Sequence, residues 1–132
     1  MPIRTKRWND PPAAEDGFRL LVCRLRPRGV PTRGQPWEEW WPDLGPSRRL
    51  LDAFHGKAVS PLPWADYVPR YLDEMQGSAQ VWRIRALAER VAAGETVTLL
   101  CSSACTDPER CHRTVLARLI APSAVRDRAG EA

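Results

Sequence analysis

The chain has 132 residues, of which 43% are hydrophobic, and this is the usual size of a single domain with its own core. Its formal net charge of +4 is too small for a protein that coats DNA, although all but two of the 20 basic residues are arginine. No apolar stretch approaches the roughly 20 residues that span a bilayer, and the N-terminus lacks the apolar segment of a secretory signal. We therefore expect a cytoplasmic protein without a membrane partner.

Three segments have the composition of β-strands, namely Ile3–Trp8, Phe18–Leu25 and Thr96–Cys101. The second is an apolar run rich enough to be buried on both faces, which is typical of a central strand in a parallel sheet. Between the strands lies Pro36–Leu44, which holds three tryptophans and is predicted to form one or two helical turns.

Apolar residues at helical spacing predict four helices, at Ser47–Phe54, Pro63–Gln76, Ser78–Ala93 and Asp107–Ile120. Ser47 is expected to cap the first helix, and Asp107 followed by Pro108 is expected to begin the last. Pro69 must lie in the first turn of the second helix or kink it, because proline has no N–H to donate.

The order of these elements predicts an α/β fold in which a mainly parallel sheet is flanked by helices. We expect one domain over residues 1–122, followed by a disordered C-terminal tail over residues 123–132. In a sheet of this kind the ligand site lies at the carboxyl ends of the strands, and Cys101 stands at such an end.

Three of the four cysteines lie in one turn, with the spacing Cys-x3-Cys-x5-Cys from Cys101 through Cys105 to Cys111, and His112 follows directly. In a reducing compartment this clustering favours metal binding or thiol chemistry over a disulfide scaffold. The four side chains can converge, because a strand end, a turn and a helix start are close in space. The fourth cysteine, Cys23, is expected to be part of the core.

Two kinds of chemistry fit this turn. In the first, Cys101 or Cys105 is a nucleophile near a helix N-terminus, Cys111 is a resolving thiol and His112 is the base. In the second, all four side chains are candidate ligands of zinc, iron or a haem iron. Cys105–Arg110 has the Cys-x4-Arg spacing of rhodanese-like sulfur-transfer loops but lacks their glycines, and the cysteine spacing does not match the paired Cys-x2-Cys of zinc ribbons. Both interpretations stay open, as does simple packing of the thiols.

Arginines alternate just after the second predicted strand, at Arg24, Arg26 and Arg28. In an extended segment all three would project from one side, where they could bind a phosphate or carboxylate together with Arg113. The alternative is that these arginines belong to a solvated edge strand, where their charge discourages aggregation. The arrangement predicts a small anionic partner, with nucleic acid as the alternative. The affinity of a nucleic-acid binder falls steeply as salt rises, whereas thiol chemistry on a small substrate depends on pH and alkylation.

Segments along most of the chain resemble the family called domain of unknown function 488, the YeaO-like proteins. The resemblance covers roughly residues 3 to 120 and is carried by Asp10–Pro12, Glu15–Val30, Leu44–Ser47, Phe54–His55, Trp64–Tyr71, Val97–Cys101 and Cys111–Arg113. It implies an α/β fold and a pocket between the Arg28 loop and the Cys-His-Arg turn, and it implies no reaction. Relative to the family pattern, Cys23 replaces an acidic residue, Arg26 replaces an aromatic residue, and the stretch between Cys101 and Cys111 is longer and richer in cysteine.

The sequence therefore predicts a small enzyme of unassigned reaction that uses the Cys101–Arg113 turn on a small anionic substrate. A nucleic-acid or nucleotide-binding module is one alternative. A redox sensor, in which Cys101, Cys105 and Cys111 are oxidised reversibly, is another.

Overall fold

The computed structural model describes residues 2–55 and 60–121, so the predicted domain end at residue 122 and the predicted tail, residues 123–132, lie outside its described residues. Within the described ranges four strands form one sheet: β1 (Ile3–Arg7), β2 (Phe18–Leu21), β3 (Glu39–Trp40) and β4 (Val97–Cys101). The strand order is β1-β4-β2-β3 and every pairing is parallel. The predicted α/β fold with a mainly parallel sheet is confirmed.

The central strand β4 explains the apolar composition of its sequence. Val97 lies between Ile3 and Phe18, and Leu99 lies between Thr5 and Leu20. All five residues of β4 are buried, because both of its edges are paired and both of its faces are covered. The carboxyl end of this strand, where Cys101 stands, is therefore held in the middle of the sheet.

Four helices follow in the described part of the chain: α1 (Arg48–Phe54), α2 (Trp64–Glu74), α3 (Ser78–Ala92) and α4 (His112–Ile120). The side chain of Ser47 caps α1 by accepting the Leu50 N–H at 3.1 Å. Pro69 lies in the interior of α2, beyond its first turn, where it cannot donate to the carbonyl four residues earlier. No helix within residues 2–55 and 60–121 is long and apolar enough to cross a membrane.

The two faces of the sheet are covered differently. On one face Leu99 and its neighbours pack against side chains from all four helices, among them Tyr71, Leu87 and Leu116. On the other face Leu100 packs under Trp37, which comes from an irregular segment. The helices thus form the main core on one side, while loops enclose a second, smaller cluster that contains the cysteines.

Two element predictions are wrong. The predicted strand over residues 18–25 ends at Leu21, and Pro36–Leu44 forms β3 and a 3₁₀ turn at Pro42–Leu44. β3 pairs with β2 at Leu20 and Leu21, and this pairing outweighs the local helical preference of the tryptophan-rich segment. Beyond Val22 the chain turns toward Gly45, whose backbone passes so closely that a Cβ there would lie 2.4 Å from the Arg24 nitrogen.

The last helix also begins later than predicted. Asp107 caps a 3₁₀ turn at Pro108–Arg110 by accepting the Glu109 N–H at 3.1 Å. Cys111 then takes an extended conformation, with φ −133° and ψ 139°, and serves as the N-cap of α4. This break places Cys111 and His112 at the start of a new helix rather than within a continuous one.

Gly17 directly precedes β2 and lies close to the backbone of Thr96. Its replacement by alanine is expected to destabilise the fold. Its φ is +61°, and an added Cβ would lie 2.3 Å from the Thr96 carbonyl oxygen that accepts the Phe18 N–H. Gly94 also has a positive φ, +93°, yet a Cβ there meets nothing within 4 Å. In urea unfolding we expect Gly17→Ala to cost about 2 kcal/mol more than the control Gly94→Ala; equal costs would contradict this.

Candidate functional site

The cysteine-rich turn lies at the carboxyl end of the central strand. Cys101 is the last residue of β4, Cys105 follows in the turn, and Cys111 caps α4. Two hydrogen bonds tie the turn to the end of the neighbouring strand β1. The Trp8 N–H donates to the Cys101 carbonyl at 2.8 Å, and Arg7 donates to the Ser103 carbonyl at 3.3 Å. A strand end, a turn and a helix start thus bring residues ten positions apart together.

The three thiols of this turn converge. The Cys101 sulfur lies 3.3 Å from the Cys105 sulfur and 3.4 Å from the Cys111 sulfur, and all three lie within 4.8 Å of one another. Cys101 and Cys111 are 2% and 3% exposed, whereas Cys105 is partly exposed. The expectation that a cysteine cluster forms is confirmed, and we call Cys101, Cys105 and Cys111 the thiol cluster.

His112 stands beside this cluster with a fixed orientation. Its Nε2 lies 2.8 Å from the Val22 carbonyl oxygen, so Nε2 carries the proton and donates it. Its Nδ1 then faces the thiols, 3.8 Å from the Cys101 sulfur and 4.0 Å from the Cys111 sulfur. Burial lowers the pKa of His112, which keeps the ring neutral and leaves a lone pair on Nδ1.

Hydrogen bonds within the thiol cluster run in one direction. The Cys111 thiol donates to Cys101, and the Cys101 thiol donates to Cys105. The hydrogen bond from Cys101 lowers the pKa of Cys105, and Cys111 and Arg113 add to the effect, while burial opposes it. The bond to Cys105 raises the pKa of Cys101, and the bond to Cys101 raises the pKa of Cys111, so Cys105 is the thiol of the cluster whose pKa is lowered.

Arg113 is buried against the turn. The residue is 5% exposed, and its Nη2 donates to the Cys105 carbonyl at 3.3 Å. Its Nε and Nη1 are buried and have no hydrogen-bond partner among the described residues. The nearby carboxylate of Asp10 forms an ion pair of 2.9 Å with Arg7. The guanidinium is therefore a buried charge beside the thiols, which is costly unless an opposite charge lies close to it.

A cavity of about 390 Å³ lies over the thiol cluster. The thiol cluster and His112 line it, and Cys23, which is buried as predicted, lines it as well. Other walls come from the loop after β2, from α1 and from the 3₁₀ turn; their polar residues are Arg24, Arg48, Asp52, His55, Ser102, Thr106, Asp107 and Arg110. The volume suits a small molecule.

The structure separates the predicted anion-binding arginines. Of these four, Arg24 lines the cavity, although its Nε and Nη2 donate to the carbonyls of Pro46 and Gly45 at 2.9 and 3.1 Å. Arg26 turns away, stacks on Trp37 and donates to the Val30 carbonyl. Arg28 is exposed outside the cavity, and Arg113 is buried behind it. The expected row is absent because the chain bends after Leu21 instead of continuing as a strand.

Arg48, Asp52 and Arg110 are cavity residues that the sequence pattern did not single out, whereas His55 is among the residues that carry the family resemblance. Arg48, Asp52 and His55 belong to α1 and its C-cap, and Arg110 ends the 3₁₀ turn. The α1 residues are spaced i, i+4 and i+7, so they lie on one helical face. That polar stripe is the signal in the sequence that could have identified this wall, although the sequence does not show which way α1 faces.

The described site falls within a region that matches a known family. The profile DUF488-N3a, described as the active DUF488-N3 subclade, matches residues 3–124. The chain belongs to this family. The uncharacterized protein YeaO of Escherichia coli K12 is similar, with 37% identity over 117 residues, 89% of this chain and 95% of that protein. The DUF488-N3a match confirms the resemblance to domain of unknown function 488.

More distant relatives of this DUF488-N3a chain occur in mycobacteria. The uncharacterized proteins Rv3073c of Mycobacterium tuberculosis H37Rv and Mb3100c of Mycobacterium bovis are each 30% identical over 118 residues, 89% of this chain and 92% of theirs. No solved structure matches the chain significantly. The names of these relatives assign no reaction or ligand to the site.

Proposed function

We propose that this DUF488-N3a protein is a small enzyme in which a cysteine thiolate attacks a small anionic substrate held in the cavity. The observation that carries the proposal is the convergence of Cys101, Cys105 and Cys111, with sulfur atoms 3.3 and 3.4 Å apart, in the lining of that cavity. The site lies at the carboxyl end of a parallel strand, where α/β proteins commonly bind their ligands.

Cys105 is the cysteine best placed to react. All three cysteines of the thiol cluster line the cavity, but Cys105 is partly exposed whereas Cys101 and Cys111 are buried. Cys105 also accepts the hydrogen bond from Cys101 at the end of the thiol chain. In the proposed step the Cys105 sulfur forms a bond to an electrophilic atom of the substrate, and the leaving group departs with its bonding electron pair.

The charge of the cavity walls supports an anionic substrate. Among the described residues that line it are three arginines, Arg24, Arg48 and Arg110, and two carboxylates, Asp52 and Asp107. Arg48 and Asp52 are 3.7 Å apart and largely offset each other. Arg110 is exposed at the mouth, where it can attract an anion toward Cys105.

Two alkylating probes that share one reactive carbon test this proposal. Iodoacetate is an anion and iodoacetamide is neutral; each is attacked at its CH₂ carbon by a thiolate, and iodide leaves. At Cys105 we expect the ratio of the iodoacetate rate to the iodoacetamide rate to exceed that of a neutral cysteine peptide about tenfold. The excess should shrink as salt rises, because salt screens the arginines. Labelling is followed at each cysteine by peptide mass spectrometry.

Two arginine variants provide matched controls for the probe experiment. Arg110→Ala removes a charge from the cavity and should lower the rate ratio, whereas Arg118→Ala removes the same charge from the exposed end of α4 and should leave it unchanged. A ratio at Cys105 equal to that of the peptide would contradict the anionic substrate. Faster labelling of Cys23 than of Cys105 would contradict the choice of nucleophile.

A further inference from the structure

We infer that the thiol cluster and His112 bind one zinc ion, with Cys101, Cys105 and Cys111 as sulfur ligands and His112 Nδ1 as the nitrogen ligand. The inference deepens the proposed function and rests on it for its catalytic meaning, because the reactive Cys105 thiolate would then be bound to zinc. Thiolates and a neutral imidazole are a ligand set that zinc prefers.

The spacing of Cys101 from the other three ligand atoms, and of Cys111 from His112 Nδ1, is close to that of a tetrahedral site. With zinc–sulfur bonds of about 2.3 Å, two sulfur ligands of a tetrahedral ion lie roughly 3.8 Å apart. The Cys101 sulfur lies 3.3 Å from Cys105 and 3.4 Å from Cys111, and His112 Nδ1 lies 3.8 and 4.0 Å from Cys101 and Cys111. The group of ligand atoms within 4.8 Å of one another contains the three sulfurs and not His112, so Cys105 must turn toward His112 to complete the set.

The second nitrogen of His112 is arranged as it is in histidine ligands of metals. Such a ligand usually donates its other N–H to a carboxylate or a backbone carbonyl, which fixes both the tautomer and the plane of the ring. Here Nε2 meets the Val22 carbonyl oxygen at 2.8 Å, and the ring packs edge-on against Tyr71 with 5.5 Å between centroids. Nδ1 is therefore unprotonated and aimed at the thiol cluster.

Arg113 supplies an independent argument from charge. Three thiolates, a neutral imidazole and a divalent ion carry a net charge of −1. The buried guanidinium of Arg113, two of whose nitrogens have no hydrogen-bond partner among the described residues, lies against the Cys105 carbonyl. A zinc–thiolate centre would place a further negative charge beside this guanidinium, whose charge already acts on the Asp10 carboxylate and lowers its pKa.

The zinc content of the full chain tests the inference. Protein is purified without chelators or metal-affinity resin and analysed by elemental mass spectrometry. We expect about one zinc per chain in the wild type and at least a tenfold lower content in Cys111→Ser. Cys23→Ser is the matched control and should retain zinc, because Cys23 does not belong to the group of thiols within 4.8 Å of one another. If Cys111→Ser fails to fold by circular dichroism, the partly exposed Cys105→Ser replaces it.

Cobalt provides a second readout. Titration of the metal-free protein with Co²⁺ should give thiolate-to-cobalt charge-transfer bands that saturate at one equivalent and are absent from the cysteine variant. Wild-type protein that contains iron instead of zinc, or neither metal and no response to Co²⁺, would overturn the inference. So would zinc that Cys111→Ser retains in full. A mass two hydrogens lower, marking a disulfide in the cluster, would assign it to redox sensing instead.

The same samples separate this inference from the proposed function. Protein without zinc whose Cys105 still prefers iodoacetate would overturn the zinc site and support the thiolate enzyme. Protein with one zinc whose Cys105 shows no preference, before or after the metal is removed, would support a structural zinc site and overturn the proposed function.

Discussion

Replacing Asp16 with alanine is expected to lower the free energy of unfolding by about 3 kcal/mol, because it leaves buried cations without their counter-charge. Asp16 is 1% exposed and accepts hydrogen bonds from Lys6 Nζ at 3.0 Å, the Ala13 N–H at 3.0 Å and Arg19 Nη1. Its own carbonyl accepts the Thr98 hydroxyl at 2.7 Å. The carboxylate thus ties β1 to β2, while the backbone carbonyl of the same residue bonds β4.

Asp10→Ala is the matched control for this experiment. Asp10 also forms an ion pair with an arginine three residues away, Arg7, but both side chains are about one-third exposed. An exposed pair of this kind is worth less than about 1 kcal/mol. Urea unfolding at neutral pH measures both variants, and similar losses for Asp16→Ala and Asp10→Ala would show that Asp16 does not organise the sheet.

Acid should lower the stability of the fold through protonation of Asp16. Burial by itself raises the pKa of Asp16, but Lys6, the Ala13 amide and Arg19 outweigh it, so the pKa lies below its usual value near 3.8. A carboxyl whose folded pKa is depressed stabilises the fold above its unfolded pKa, and this contribution is lost as pH falls through the folded pKa. Asp16→Asn should therefore flatten the dependence of unfolding free energy on pH below about 4.

Arg113→Leu is expected to have opposite effects on metal binding and on the metal-free fold. Zinc affinity should fall by about 10- to 100-fold, because the cation that offsets the net negative centre is gone. The metal-free chain should be as stable as the wild type or more stable, since a buried charge with unsatisfied nitrogens is replaced by an apolar side chain. A merely structural role for Arg113 would lower stability and leave zinc affinity unchanged.

Competition with a zinc chelator measures the affinity of this variant, and urea unfolding in excess chelator measures its metal-free stability. Arg118→Leu, on the exposed part of the same helix, controls for the general loss of a positive charge and should change neither quantity. Unchanged zinc affinity in Arg113→Leu would remove the charge argument for the zinc site.

The parts of the fold that the sequence predicts are those set by local pattern. Val97–Cys101 is apolar apart from Thr98, does not alternate polar and apolar residues, and becomes the buried central strand. Ser47 caps α1, as its residue type predicts. The convergence of the cysteines is also local, because Cys101 ends a strand and Cys111 begins a helix only ten residues later. Short-range geometry is enough to bring those thiols together.

The parts that the sequence does not predict depend on distant contacts. β3 exists because Glu39 and Trp40 pair with Leu20 and Leu21 of β2, and no pattern within Pro36–Leu44 reports that partner. Arg24, Arg26 and Arg28 lose their common direction because β2 ends at Leu21, and the Gly45 backbone that passes close to Arg24 is likewise a contact distant in sequence. The α1 wall of the cavity and the burial of Arg113 likewise depend on how helices dock on the sheet.

X-ray absorption spectroscopy at the zinc edge of the purified chain tests the central claim most directly. The account predicts a shell of three sulfur atoms at about 2.3 Å and one nitrogen at about 2.0 Å, with the nitrogen contribution absent from His112→Ala. A shell of oxygen and nitrogen atoms without sulfur would contradict the claim that the thiol cluster is the metal site. A shell of four sulfurs would contradict the role of His112 and implicate Cys23.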